Sequence, residues 1–276
     1  MKLRSLALAA GALLLAGSSG AAAATHIEEV ASLGSVQATF SYDVVDDYDG
    51  IASNQHLTII RAGAVLLDAP IPPLVFADAM WPANYWLNRK SVLVGDFDGD
   101  GEPEVFVELL TGGAHCCFYD AVYRYTSGSY LRSSHWWGNQ SYRLEDLDGD
   151  GRPEFVSADD RFSYAFSCFA CSRWPPQIWS YRGGRFLDVT RRFPRVIRRD
   201  ARQERRDVAA WRRLRDNSGP LAAWTADECL LQNCAQAWRQ LEAWRRHQWI
   251  YPGDDRTPRA YLRHLRRFLH QTGYLR

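Results

Sequence analysis

The sequence predicts an α+β protein, with antiparallel β structure over residues 25–190 and a C-terminal α-helical subdomain over 191–276. Three observations carry this. Short alternating apolar runs broken by Gly-containing turns fill the first part. Helical spacing of apolar residues begins only after Arg191. A nine-residue acidic frame occurs twice inside the β part, at an offset of 50 residues.

Taken in order, residues 1–24 read as a signal peptide. Lys2 and Arg4 form a positive start, Leu6 to Ala16 an apolar core, and Ala22-Ala23-Ala24 a small-residue cleavage site. The core is shorter than the roughly 20 residues a membrane span needs, and no later segment is long and uncharged enough to be one. The expectation is an exported protein, periplasmic or extracellular. Alternation in Ser35–Val44 puts Val36, Ala38, Phe40 and Tyr42 on one face of a strand. Strands are expected at 56–61 and 64–67, joined by a turn at Arg61-Ala62-Gly63. Others are expected at 91–94, 105–110, 117–125, 142–144, 155–157, 177–182 and 186–189, the last two joined by Arg182-Gly183-Gly184-Arg185.

Helices are expected near 195–215, 220–232 and 235–248. The last helix is the clearest. Thr257 caps it and Pro258 suits its first position. Tyr261, Leu262, Leu265, Phe268 and Leu269 form its apolar stripe, and Gly273 ends it. Its other face carries Arg259, Arg263, Arg266, Arg267 and His270.

A composition of 46% hydrophobic and 13% aromatic residues supplies a sizeable core and excludes a disordered or fibrous chain. The net charge of +1 is a cancellation. Residues 25–190 carry 11 Lys and Arg against 23 Asp and Glu, whereas residues 191–276 carry 20 Arg against 9 acids. Export argues against a nucleic-acid partner. The basic helices suggest an unknown protein or anionic envelope component, or the acidic β section of the same chain docking on them.

Six cysteines fall in close pairs, Cys116-Cys117, Cys168/Cys171 and Cys229/Cys234. In an oxidising compartment they read as disulfides, with connectivity open. Cys168-Phe169-Ala170-Cys171 also has the spacing of a redox pair, and four cysteines could hold zinc. No thioredoxin-like unit surrounds the motif, so a structural disulfide is the adopted reading.

The repeated frame is D-x-D-G-D-G-x-P-E, in DFDGDGEPEVFV and DLDGDGRPEFVS. It offers Asp96, Asp98, Asp100 and Glu104 in one copy, and Asp146, Asp148, Asp150 and Glu154 in the other. Carboxylates at alternate positions of a tight turn converge, and only a hard cation stabilises so much like charge. Oxygen-only donors favour Ca²⁺ over Zn²⁺ or Cu²⁺, and Mg²⁺ gives up its waters reluctantly. The backbone carbonyl at position 7, Glu102 or Arg152, would complete each site. An EF-hand would need Glu at position 12, where Val107 and Ser157 stand. The first copy has five acids and no base between Asp96 and Glu104, so it is expected to bind the tighter.

These two turns resemble the calcium loops of FG-GAP or VCBS-type repeats, as in the β-propellers of integrin α-subunits and many exported bacterial proteins. The stretch from about 90 to 190, with TGGAHCC and DDRFSYAF, also resembles bacterial VCBS-repeat proteins of unknown function. The resemblance implies two calcium-loop repeats, about 90–140 and 141–190, in partial propeller-like sheets, with strands 27–67 as a third. It implies Ca²⁺ binding by the eight acids and a calcium-binding module.

Catalytic signatures such as H-E-x-x-H and G-x-S-x-G are absent from the sequence. The function expected is a non-catalytic binding or scaffold module of the cell envelope. The alternative is an exported hydrolase using Thr111 to Asp120, with His115, Cys116 and Cys117 as its candidate catalytic residues.

Overall fold

The computed structural model describes residues 24–45, 52–72, 80–112, 117–253 and 256–275. It shows antiparallel sheets followed by C-terminal helices. Nearly all of the segment read as a signal peptide lies outside the described residues.

Sheet one is a meander of β1 (Ala24–Leu33), β2 (Val36–Val45), β3 (Ala52–Arg61) and β4 (Ala64–Pro70). Sheet two has β5 (Trp81–Pro82) and β6 (Val92–Gly95) along one edge of β7 (Glu104–Leu110), then β8 (Phe118–Thr126) and β9 (Ser129–Gly138). Sheet three runs through β10 (Arg143–Glu145), β11 (Glu154–Ala158), β12 (Pro176–Arg182) and β13 (Arg185–Asp188). Every described strand pairing is antiparallel, and neither a closed barrel nor a closed propeller forms among the described residues.

Strand β7 is the centre of the β part. Its seven residues are all buried. Val105, Val107 and Leu109 join Phe40, Tyr42, Leu57 and Ile59 of sheet one in one core. Phe106, on the opposite face, joins Phe155 and Tyr181 of sheet three in another. A strand covered on both faces reads as a continuous apolar run, as Val-Phe-Val and Leu-Leu do here.

The helices are α1 (Pro194–Trp211), α2 (Ser218–Leu230), α3 (Cys234–Arg246) and α4 (Pro258–Gln271). Helix α4 forms as its sequence predicts. The Thr257 side chain accepts from the Ala260 amide at 3.3 Å, Pro258 opens the helix, and Gly273 follows it at φ +82°. Tyr261, Leu262, Leu265 and Leu269 are buried, and Arg259, Arg263, Arg266 and Arg267 are exposed. Helix α1 stops earlier than its periodicity suggests. A 3₁₀ turn at Arg212–Leu214 and Arg215 in the left-handed region end it. No described helix is long and apolar enough to cross a membrane, which says nothing of a β-barrel.

The helical core is not made by the helices alone. Phe162 and Phe166, from the segment between β11 and β12, are buried in it with Trp224, Leu241, Tyr261 and Leu265. Tyr274 donates to Asp159 at 2.8 Å, and Arg192 reaches Asp148 at 3.0 Å. The β and helical parts therefore meet through aromatic packing, hydrogen bonds and ion pairs, Arg173 with Glu204 and Asp207 of α1 among them.

Candidate metal centres

Each acidic turn joins the first two strands of its unit, β6 to β7 in sheet two and β10 to β11 in sheet three. Position 9 opens the second strand in both, where Glu104 pairs Gly95 and Glu154 pairs Glu145. That register folds the glutamate back over the turn.

In the first turn, Asp96 accepts from the amides of Gly99 at 2.8 Å and Gly101 at 3.1 Å. In the second, Asp146 accepts from Gly149 at 2.7 Å and Gly151 at 3.0 Å. These bonds curl the chain so that positions 1, 3 and 9 converge. One carboxylate oxygen each from Asp96, Asp98 and Glu104 lies within 4.8 Å of the others, and so do those of Asp146, Asp148 and Glu154. Glu104 and Glu154 are fully buried, and each holds one oxygen on the backbone, from Phe97 at 3.1 Å and Leu147 at 3.0 Å. The other oxygen, Oε1 in both, is buried without a hydrogen-bond partner.

At position 5 each aspartate is held by an arginine. Asp100 turns to Arg124 of β8, at 2.5 Å, and Asp150 turns to Arg152 of its own loop. Glu102 pairs with Arg61 at 2.6 Å, so its side chain faces away from the triad. Arg124 is a feature that local spacing could not reveal. Its Nε also lies 3.5 Å from Asp98 and 3.7 Å from Glu104, so a guanidinium neutralises part of the first cluster. In the second cluster Arg192 takes Asp148. Burial, and next the charge of Asp98, push Glu104 up to about 8; Glu154 is also raised, by burial first. Such a carboxyl ionises readily only beside added positive charge.

The turns are neighbours. A Cβ on Gly99 would sit 2.4 Å from Cδ of Arg152, and Gly99 has φ +76°, so glycine is needed twice over. The β12–β13 turn touches both, with the Gly183 amide on Asp98 at 3.0 Å and Arg182 at 3.7 Å from Asp150.

The other candidate lies partly outside the described residues. His115 and Cys116 lie outside the described residues, while Cys117 is buried and disulfide-bonded. Asp120 is fully buried, accepting from Trp137 Nε1 at 2.9 Å. Cys229 and Cys234 form a disulfide. Cys168 and Cys171 stand with their sulfurs 2.7 Å apart and unbonded, where the adopted reading is a structural disulfide. Spacing fixes their proximity, whereas oxidation depends on what they react with. The two ligand groups found among the described residues contain no cysteine, so no zinc cluster appears there.

With this geometry in place, the comparisons bear on kinship. Residues 197–273 match a family model described as the sll0997 C-terminal domain. A relative from Synechocystis sp., described as "Probable thylakoid lumen protein sll0997", is 29% identical over 157 residues. The match covers 54% of this chain and 46% of the relative, so the chain spans about half the length of the curated relative it matches. No solved structure matches. No VCBS or FG-GAP repeat family is found, which overturns the resemblance drawn from the two turns. An Asp-Gly turn opening a strand with Glu is a local solution to one geometric problem, and short frames of this kind do not carry ancestry.

Proposed function

We propose that this chain is an exported, non-catalytic binding or scaffold module whose two acidic turns hold Ca²⁺. The observation that carries the proposal is the pair of buried oxygens without a hydrogen bond, Glu104 Oε1 and Glu154 Oε1, each beside two aspartates. A buried carboxylate oxygen without a donor is costly, and a hard cation with flexible oxygen coordination removes that cost. Asp96, Asp98 and Glu104 would hold one ion, and Asp146, Asp148 and Glu154 the other, with the carbonyls of Glu102 and Arg152 available. Asp100 and Asp150 would join by leaving their arginines.

The leader-like residues 1–24 and the description of the relative as a lumen protein support the exported compartment. The exposed face of α4 supports an anionic protein or envelope component as partner. Among the described residues, Arg259, Arg263, Arg266 and Arg267 have no acidic side chain within salt-bridge distance.

Calorimetric titration of the metal-stripped chain with CaCl₂ tests the reading. Two sites are expected, with Glu104→Gln abolishing the tighter and Glu154→Gln the weaker. Calcium at about 100 times Kd should stabilise the fold by roughly 2.7 kcal/mol per site in thermal melts. Absence of both binding heat and a melting shift would sink the proposal, and equal losses from the two variants would overturn the ranking.

A further inference from the structure

The pair Cys168 and Cys171 is independent of the acidic turns. Cys229–Cys234 is a disulfide and Cys117 is disulfide-bonded, whereas Cys168 and Cys171 are adjacent but unbonded. Their sulfurs are 2.7 Å apart, and a disulfide bond is about 2.05 Å long, so bond formation needs a sulfur movement of under about 1 Å.

The surrounding turn is fixed by bonds that do not involve sulfur. The Cys168 carbonyl accepts from the Cys171 amide at 3.0 Å and from the Ser172 hydroxyl at 3.0 Å. Ser172 Oγ in turn accepts from the Tyr164 amide at 3.0 Å, and Ser167 donates to Asp216 at 2.6 Å. The Cys171 carbonyl lies against Gly219 of α2, so close that a Cβ there would come within 2.1 Å of it. The scaffold can therefore stay in place while the sulfurs change state.

The two thiols are not equivalent. Cys168 is exposed and Cys171 is half-buried. The hydrogen bond with Cys168, and next burial, push the Cys171 thiol up. Phe169 follows Cys168 directly, and its ring lies 5.4 Å from that of the exposed Tyr164, in a tilted pair, and 5.5 Å from Trp174. These rings give an incoming peptide an apolar surface next to the reactive sulfur.

We infer that Cys168 and Cys171 form a thiol–disulfide exchange site whose substrate is a disulfide-bearing peptide or protein, with Cys168 attacking and Cys171 resolving. In the forward direction the Cys168 thiolate attacks one sulfur of the partner disulfide. A mixed disulfide forms, and the first partner thiolate leaves and takes a proton. Cys171 then loses its proton and attacks the Cys168 sulfur, expelling the second partner thiolate. The partner gains two electrons and two protons, and Cys168–Cys171 becomes the disulfide. The reverse sequence oxidises a partner dithiol.

The test uses the full native chain and glutathione as probe. Iodoacetamide should alkylate Cys168 about tenfold faster than Cys171. Buffers running from reduced to oxidised glutathione should interconvert the 168/171 pair while Cys229–Cys234 stays closed. With oxidised glutathione, Cys171→Ser should accumulate a mixed disulfide on Cys168, located by peptide mass spectrometry, and Cys168→Ser should not. Equal alkylation of the two thiols would overturn the proposal. So would a pair locked in one state across the glutathione range. Both of these readouts come from the unaltered chain, so a misfolded variant does not blunt the test.

Discussion

Glu108 sits in the middle of β7 with no exposure, beside the equally buried Asp120 across the β7–β8 ladder. Arg89 makes this tolerable. Its guanidinium bonds Glu108 Oε2 at 2.5 and 3.1 Å, the Tyr142 carbonyl at 2.8 Å and Ser141 Oγ at 3.1 Å. Burial still pushes Glu108 and Asp120 up, and the nearby charge of Glu108 adds to the rise of Asp120. Removing one partner of a buried pair leaves an uncompensated charge. Arg89→Met should therefore cost about 3–5 kcal/mol in urea unfolding at neutral pH. A loss under about 1 kcal/mol would show that the network is neutral or wet. Sequence spacing does not reveal this trio, because Glu108 and Asp120 meet through the β7–β8 register and Arg89 reaches them from the loop before β6. By contrast Asp96, Asp98, Glu104 and their counterparts were legible, since one turn determines where they converge. The diversion of Asp100 to Arg124 was not, because Arg124 comes from β8.

At the scale of elements, α4 and the hairpin turns follow local rules, so their cap, stripe and glycines could be read directly. Strand β9 has no counterpart in the sequence expectation, and β1 falls only within the broad range 27–67, with no strand of its own. Each alternates too weakly to stand out, with much of its length exposed, and is held by the ladder to β2 or β8. Helix α2 is buried nearly all round, which hides its period. Its first turn also forms the seam with the β part. Gly219 faces the Cys171 carbonyl so closely that no side chain fits. Gly219→Ala should cost about 1–3 kcal/mol through displacement of that backbone, despite the better helix propensity of Ala. Thermal melting would show it, and an unchanged or raised Tm would contradict the seam.

For the molecule as a whole, acidity enters through the helical core. Glu204 of α1 and Asp227 of α2 are buried, and Asp200 lies beside them. Burial, and next the charge of Asp200, push Glu204 up to about 8; the same two causes raise Asp227 well above the usual carboxylate range. Asp200 is raised by burial, with Arg199 and Arg173 acting against it and Asp207 adding to it. Asp200 and Asp227 can bond each other only when one carries a proton. The folded state thus holds protons that the unfolded chain releases near pH 4, so stability falls as pH rises from about 4 to 8. Tm should be higher at pH 5.5 than at pH 8.5 by about 5 °C, and Asp227→Asn should flatten that slope. An equal slope in the variant would place the linkage elsewhere.

The sequence by itself determined the order of β then α, the last helix, the two convergent acidic turns and the division into an acidic and a basic half. Each of these rests on residues close in the chain, where backbone geometry alone decides the outcome. Tertiary structure decided which face of β7 meets which sheet and which arginines enter the acidic clusters. It also decided that Phe162 and Phe166 complete the helical core and that Cys168 is exposed while Cys171 is half-buried. Those outcomes depend on contacts between segments far apart in sequence, whose energies exist only once the sheets and helices have packed.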